Sequence, residues 1–473
     1  MLSPVVPVNF QVGISSLFLL HKKFCPHFNF GAKPLKILLV INVQAVTLIS
    51  VISPGELLQL SLNIGFFHNV HGRNQLHTDQ LMLKIFLPII LLILGAYYGY
   101  TWYPYLPASA SIGISYLIYM LALIVAGLSV RFSRSMVFFY VLLIMFTNIS
   151  LRTGWVAGEL AYALLSAIVP LMVVGITVLP ERGLVSIKAV PSYVVLVFGF
   201  LLIVLLTAFS PEWAQSILLT DWAPARYFDW TGQPQTVLII TLIALQLMLA
   251  LFVLTPTLYR AAGFGMLLML ALQFHFGAMI VSLNVFSGVA LLMCLNAIMQ
   301  ETWRMAYIDE LTSLPGRRAL TEKFQRIGNH YTVAMLDVDH FKKFNDNFGH
   351  DAGDAVLRMI ASQLSQVSGG GLPYRYGGEE FTVVFVGKDK SEARQHLEEL
   401  RAAIADKPFV IRKKGRRKSD KSTSKDKRHS VKITVSIGCA DSSDTPNSPW
   451  DVLKLADKAL YRAKDRGRNC LAW

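Results

Sequence analysis

The chain has 473 residues, room for two or more domains, with 53% hydrophobic and only 16% charged residues. That balance is wrong for an ordinary soluble protein and points to membrane spans. The formal charge of +14 is weak evidence for nucleic acid, and none is expected as a partner: residues 412–428 alone hold ten Lys/Arg against two Asp and supply +8 of it. Cys25, Cys294, Cys439 and Cys470 are scattered without CxxC spacing, which argues against a disulfide framework or a zinc site.

Residues 1–81 form an N-terminal region of uncertain status. Ile37 to Ser53 is apolar enough for a span, but Asn42, Gln44 and Thr47 interrupt it. Lys22 and Lys23 follow the apolar stretch Ile14 to Leu20, the wrong order for a secretory signal peptide. One expectation is that the native start is Met82, with the earlier residues translated from upstream sequence.

Residues 82–300 are expected to form a transmembrane sensory domain. Apolar runs recur near 84–103, 109–130, 136–151, 155–179, 190–209, 236–255, 262–282 and 284–300, predicting a polytopic α-helical membrane domain of about eight spans. With the N-terminus inside, inner loops hold Arg131, Arg134, Arg182, Lys188 and Arg260, and outer loops only Arg152 and Arg226. The positive-inside bias then places both chain ends of a multi-pass protein in the cytoplasm. Trp213, Trp222, Tyr227, Phe228 and Trp230 in the longest outer loop read as an interfacial belt. Glu159 in the fourth run and His275 in the seventh are expected to pair with neighbouring helices, because burying them alone is costly.

Residues 301–308 are expected to be a helical linker, with Cys294 to Tyr307 continuing the last span towards Asp309. Beyond it, helices are predicted around Leu320–Ile327, Val356–Val367, Leu397–Ile404 and Val452–Ala463 from their apolar spacing. Strands are predicted at 332–337, 382–386, 408–412 and 431–438. The alternation predicts a cytoplasmic α+β domain over 309–473 with a βαββαβ core of mixed pairing. The basic run Arg412 to Arg428 has no apolar period and reads as a solvated hairpin tip, with contact to anionic membrane lipid as the alternative.

Within this domain, the apolar strand Thr332 to Leu336 ends in Asp337-Val338-Asp339. Gly377-Gly378-Glu379-Glu380 reads as a tight hairpin before the strand-forming run Thr382 to Val386. If the two elements are neighbours in one sheet, Asp337 and Glu379 converge, and their mutual repulsion calls for a hard divalent cation such as Mg²⁺, which commonly shares its shell with nucleotide phosphates.

The blocks Asp309–Arg318, Asp337–Asp346, Gly349–Asp354, Arg375–Phe381 and Ala456–Asn469 resemble, in order, the signature blocks of the GGDEF family of diguanylate cyclases, over about residues 305–473. The resemblance implies a ferredoxin-like, palm-type fold and condensation of two GTP into cyclic di-GMP by a homodimer. It implies that Asp337, the Val338 carbonyl, Glu379 and Glu380 bind Mg²⁺, or Mn²⁺ in its place. Glu379 and Glu380 would be catalytic, Glu379 helping to deprotonate the attacking hydroxyl. Lys342, Lys464 and Arg468 would hold phosphates, with backbone N–H groups near His340 and Phe341 assisting, and Asn345 and Asp354 would read guanine. The membrane domain would receive an unidentified signal ligand. Two departures stand out. Gly316 replaces the family's usual Asn, and Ser368 and Gly371 occupy the RxxD positions of the inhibitory product site, so feedback through that site is expected to be absent. A rival expectation is a non-catalytic GTP-binding membrane receptor or relay.

Overall fold

The computed structural model describes residues 73–154, 158–181, 183–184, 186–228, 230–411, 429–444 and 448–473. The expectations for residues 1–72 and for the basic run 412–428 lie outside the described residues. The chain divides after Met82, and the unit from Leu83 to Trp473 carries both the apolar helices and the α+β domain.

Long helices occupy each of the eight apolar runs: α1 (Arg73–Trp102), α2 (Ala108–Arg131), α3 (Ser135–Thr153), α4 (Glu159–Val178), α5 (Val190–Phe209), α7 (Gln235–Leu254), α8 (Leu258–Phe276) and α9 (Ile280–Tyr307), with a short α6 (Pro211–Leu218) after α5. Among the described residues, six are long and apolar enough to cross a membrane: α2, α3, α4, α5, α7 and α9. Arg260, Gln273 and His275 lower the hydropathy of α8 and keep it outside the six.

Three details differ from expectation. Glu159 is the exposed first residue of α4 rather than a group inside a span, because the helix begins there, after Gly158 at φ +119°. The break between the last two helices falls at 277–279 instead of 282–284, where Gly277 adopts φ +77° and ends α8. His275 does not pair with a neighbouring long helix; its Nδ1 lies 3.0 Å from Thr231 Oγ1, in the connection before α7. As anticipated, α9 runs unbroken through Cys294 to Tyr307.

The α+β domain follows as α10 (Arg317–Gln325), β1 (Tyr331–Val338), α11 (Phe341–Phe348), α12 (His350–Leu364), β2 (Leu372–Gly377), β3 (Glu380–Val386), α13 (Lys390–Asp406), β4 (Phe409–Ile411), β5 (His429–Val431), β6 (Val435–Asp441), α14 (Pro449–Asp465) and β7 (Leu471–Ala472). Its main sheet has the order β2-β3-β1-β6-β7, antiparallel except for the β6–β7 pair. This is the βαββαβ arrangement with a short parallel edge added. Every residue of β1 is buried, as a central strand covered on both faces requires. Leu336, Phe381 and Ile437 pack with α12 and α13 on one face, and Met335, Val384 and Ala440 with α10 and α14 on the other. A Cβ at Gly438 would stand 2.0 Å from Leu460 N, so α14 lies directly on the β6 backbone.

The expected pairing of 408–412 with 431–438 is corrected. Residues 409–411 pair only with 429–431 in a small separate hairpin, and β6 joins the main sheet beside β1. Alternation from Val435 explains the switch: Val435, Ile437 and Cys439 fill one core face while Ala440 enters the other. The short helix α11, not among the predicted helices, is anchored by buried Phe341 and Phe344.

Candidate active site

The site forms where β1 ends. Asp337 is the register partner of Glu380 across the β1–β3 ladder, so the acidic strand end and the Gly-Gly turn do meet. Gly378 in that turn has φ +48°, a conformation that favours glycine and lets Glu379 follow without strain. The Asp337 side chain is nearly buried, and its Oδ1 lies 2.9 Å from Lys464 Nζ on α14.

Burial raises the Asp337 carboxyl above its ordinary range despite the opposing Lys464. Burial, then the Asp337 charge, raises Glu379 as well. Glu380 is raised by burial, then by Asp337 and Asp457. Glu379 and Glu380 thus each feel the Asp337 charge, with Lys464 as the near ammonium, and burial and repulsion both penalise their charge.

Among the described residues, no group of three or more His, Cys, Asp or Glu side chains converges closely enough to hold a metal ion. The expected shell of Asp337, the Val338 carbonyl, Glu379 and Glu380 is therefore adjacent but not gathered, with Lys464 taking the Asp337 oxygen. In chemistry the set does fit Mg²⁺: the donors are hard oxygens, and their excess negative charge is the kind a divalent ion relieves.

The other expected residues surround this point. His340, at φ +56°, precedes α11, so the first N–H groups of that helix open beside the end of β1. Lys342 is exposed on α11. Asn345 Oδ1 is buried without a hydrogen-bond partner, and a Cβ at Gly353 of α12 would stand 1.9 Å from it. Gly353 therefore makes room for Asn345, with half-buried Asp354 next in the chain. Arg468, in left-handed conformation at φ +66°, is close enough to lower the Asp337 pKa slightly.

Sequence reading missed two structural carboxylates. Asp339 accepts hydrogen bonds from Thr434 Oγ1 (2.7 Å), Ser436 Oγ (2.6 Å) and Asn469 N (3.0 Å), which ties the C-terminal segment carrying Lys464 and Arg468 to the end of β1. Asp309 accepts from Thr312 N (2.8 Å) and Thr312 Oγ1 (2.6 Å), and Arg375 Nη1 bonds it at 2.7 Å. Arg375 Nη2 also donates to Gly378 O at 2.7 Å, joining the end of α9 to the Gly-Gly turn. Burial pushes the Asp309 carboxyl up, but the Thr312 and Arg375 hydrogen bonds outweigh it and hold it below the ordinary range. For Asp309 the available signal was Thr312 three residues on; the partners of Asp339 are distant in sequence and gave none.

At the positions of the family's inhibitory site, Ser368 Oγ lies 2.7 Å from His396 Nδ1 and donates to Glu399 Oε2 at 2.9 Å. A side chain at Gly371 would press on Val367, Phe385 and Val383 at 2.8–2.9 Å.

The sheet order and the acid-lined strand end define a palm-like α+β domain. Residues 306–470 match the family model described as "Diguanylate cyclase, GGDEF domain", and this part of the chain is a GGDEF domain. The chain is 33% identical over 181 residues to the response regulator PleD of Caulobacter vibrioides, covering 37% of each protein. It is 38% identical to the diguanylate cyclase DgcP of Pseudomonas aeruginosa, over 37% of this chain and 25% of that one. Thus the chain spans 25–37% of the length of these curated relatives. A solved structure of the coiled coil and GGDEF domain of DgcB from Caulobacter crescentus, in complex with c-di-GMP, is 31% identical, covers 38% of this chain and 91% of that one, and aligns with a TM-score of 0.33.

Proposed function

We propose that this chain is a membrane-anchored diguanylate cyclase, condensing two GTP into cyclic di-GMP and two pyrophosphates under control of a signal at its helical region. The observation that carries the reading is the β1–β3 register that brings Asp337, Glu379 and Glu380 to one strand end, within a GGDEF domain.

Each bond-forming step joins the 3′-oxygen of one nucleotide to the α-phosphorus of the other and releases pyrophosphate; a second such step closes the ring. Mg²⁺, held by Asp337, the Val338 carbonyl, Glu379 and Glu380, would offset phosphate charge and lower the pKa of the attacking hydroxyl. Glu379 accepts the proton from that hydroxyl, and its raised pKa makes it a better base than an exposed Glu. Lys464 exchanges Asp337 for the triphosphate, with Lys342 and Arg468 holding the remaining phosphate oxygens. The unpartnered Asn345 Oδ1 and the Asp354 carboxylate accept from guanine N–H groups, which adenine cannot supply in the same pattern.

One domain holds one GTP, so the working unit is a homodimer with the two sites face to face. The apolar helices and the Lys/Arg bias support a multi-pass inner-membrane protein with its GGDEF domain in the cytoplasm. The α9–Asp309–Arg375–Gly378 chain of contacts is the route by which a change in the helices reaches the acidic turn. Product feedback is absent, because Ser368 and its partners replace the guanidinium and Gly371 has no room for a carboxylate.

The test is full-length dimer in lipid nanodiscs with GTP and Mg²⁺, product being read by chromatography. Wild type should form cyclic di-GMP, undiminished by micromolar product, and Glu379→Ala should form none. A dimeric wild type that makes no product would support the relay reading instead.

A further inference from the structure

Among the described residues of the helical region, one partly buried cation forms no ion pair with a carboxylate. Arg152, at the end of α3, donates from Nη1 to Ser115 Oγ (3.0 Å) and from Nη2 to Asn284 Oδ1 (2.6 Å), and lies over the Tyr119 ring at 5.9 Å. Its Nε is buried without a partner. Asn284 in turn donates to Tyr103 Oη at 2.5 Å and to Ser115 Oγ at 3.0 Å. All of these partners are neutral, and among the described residues no carboxylate forms an ion pair with Arg152. A guanidinium cannot shed its proton, so partial burial among neutral groups leaves a charge to be balanced.

Beside this cluster runs a groove of about 610 Å³ between α1, α2 and α9. Asn284 and Tyr103 form its polar end, while Gly95, Gly99, Leu121 and Val289 line the apolar remainder. The volume lies within the roughly 300–1,000 Å³ typical of small-molecule sites. A Cβ built on Gly95 would meet nothing within 4 Å, so this wall is open space and not packed core. The polar end sits at the end of α1, the start of α2, the end of α3 and the start of α9, remote along α9 from Tyr307.

We propose that this groove binds an amphiphile with one apolar chain and an anionic head group, the head held at Asn284 and Tyr103 with the Arg152 charge one hydrogen bond behind Asn284, and the chain lying along the glycines of α1. The proposal rests on the reading of these helices as membrane-spanning. It then puts the head at the outer interface and the chain in the hydrocarbon layer, the orientation such a molecule already has in a bilayer. Because Asn284 belongs to α9, the ligand would contact the helix that leads to the GGDEF domain.

The experiment uses full-length protein in zwitterionic phosphatidylcholine nanodiscs, with labelled palmitate, hexadecanol and hexadecyltrimethylammonium as probes. Palmitate should bind saturably, and the neutral and cationic probes about tenfold more weakly or worse. Arg152→Gln should weaken palmitate about tenfold and leave hexadecanol unchanged. Arg152→Lys should keep most of the palmitate binding, and Gly99→Leu should remove it by filling the groove. If Arg152→Gln fails to fold, the contrast between Arg152→Lys and Gly99→Leu still decides. Equal palmitate binding by all variants would overturn the proposal. So would a Gly95→Cys disulfide between two copies whose yield palmitate does not change, since a second copy would then fill the groove. Protein recovered in solution without detergent would instead overturn the membrane reading, and the same binding comparison in buffer would still judge the groove.

Discussion

In the helical region Arg152 faces Ser115, Asn284 and the Tyr119 ring, all neutral, whereas in the GGDEF domain Glu379 and Glu380 each feel the Asp337 charge, with Lys464 as the near cation. Elsewhere in the same domain, Asp339 and Asp309 have their oxygens met by hydroxyls, backbone N–H groups and Arg375. Charges that hold the fold together are satisfied locally. On the proposed readings, the charges left unbalanced, of either sign, are where a ligand of opposite sign binds.

The contrast is most easily broken at the carboxylates. On the proposed cyclase reading, Asp337→Ala should lower cyclic di-GMP formation by on the order of 10²–10³-fold with the fold retained, as checked by kinetics and circular dichroism. A loss of only a few-fold would make Asp337 another structural acid. Gly438→Ala tests the scaffold instead of the charge. Its methyl would meet the Leu460 backbone, and a loss of about 3 kcal/mol is expected, read as a lower melting temperature with α14 displaced from β6.

The satisfied acids come next. Arg375→Met should cost about 1–2 kcal/mol at neutral pH, since it removes charged hydrogen bonds to Asp309 and Gly378 from a partly exposed site. Asp309 has a lowered folded pKa, so its contribution is present above the ordinary carboxylate value and is lost as pH falls through the folded one. The penalty of Arg375→Met should accordingly shrink in acid, as melting curves across pH would show.

The unbalanced acids have the opposite sign. With folded pKa values raised by burial, they favour the folded state fully below about pH 4 and lose that contribution as pH rises through the raised values. Without divalent cation, Glu379→Gln should therefore melt slightly higher than wild type at pH 8, with the difference vanishing by about pH 4.

Much of this was legible in the chain. The apolar run ending at Asp337 and the Gly377-Gly378 turn each carry a strong local signal, and their meeting follows from adjacent strands. What was not legible depends on partners distant in sequence. Nothing near Asp339 announces Thr434 or Asn469, and nothing near Ser368 announces His396. Hydropathy alone also misplaced Glu159 and the turn at Gly277, because an apolar run marks burial and not where a helix is capped. The basic run 412–428 hid the switch from β5 to β6, since charge density says nothing about which sheet the next strand joins.

The proposed cyclase chemistry requires that the acids at the end of β1 bind a divalent cation. The direct measurement is the melting temperature of the full-length protein at pH 8, titrated with Mg²⁺ in wild type and in Asp337→Asn/Glu379→Gln. Wild type should show a saturable rise and the variant none. An equal rise in both would contradict the claim.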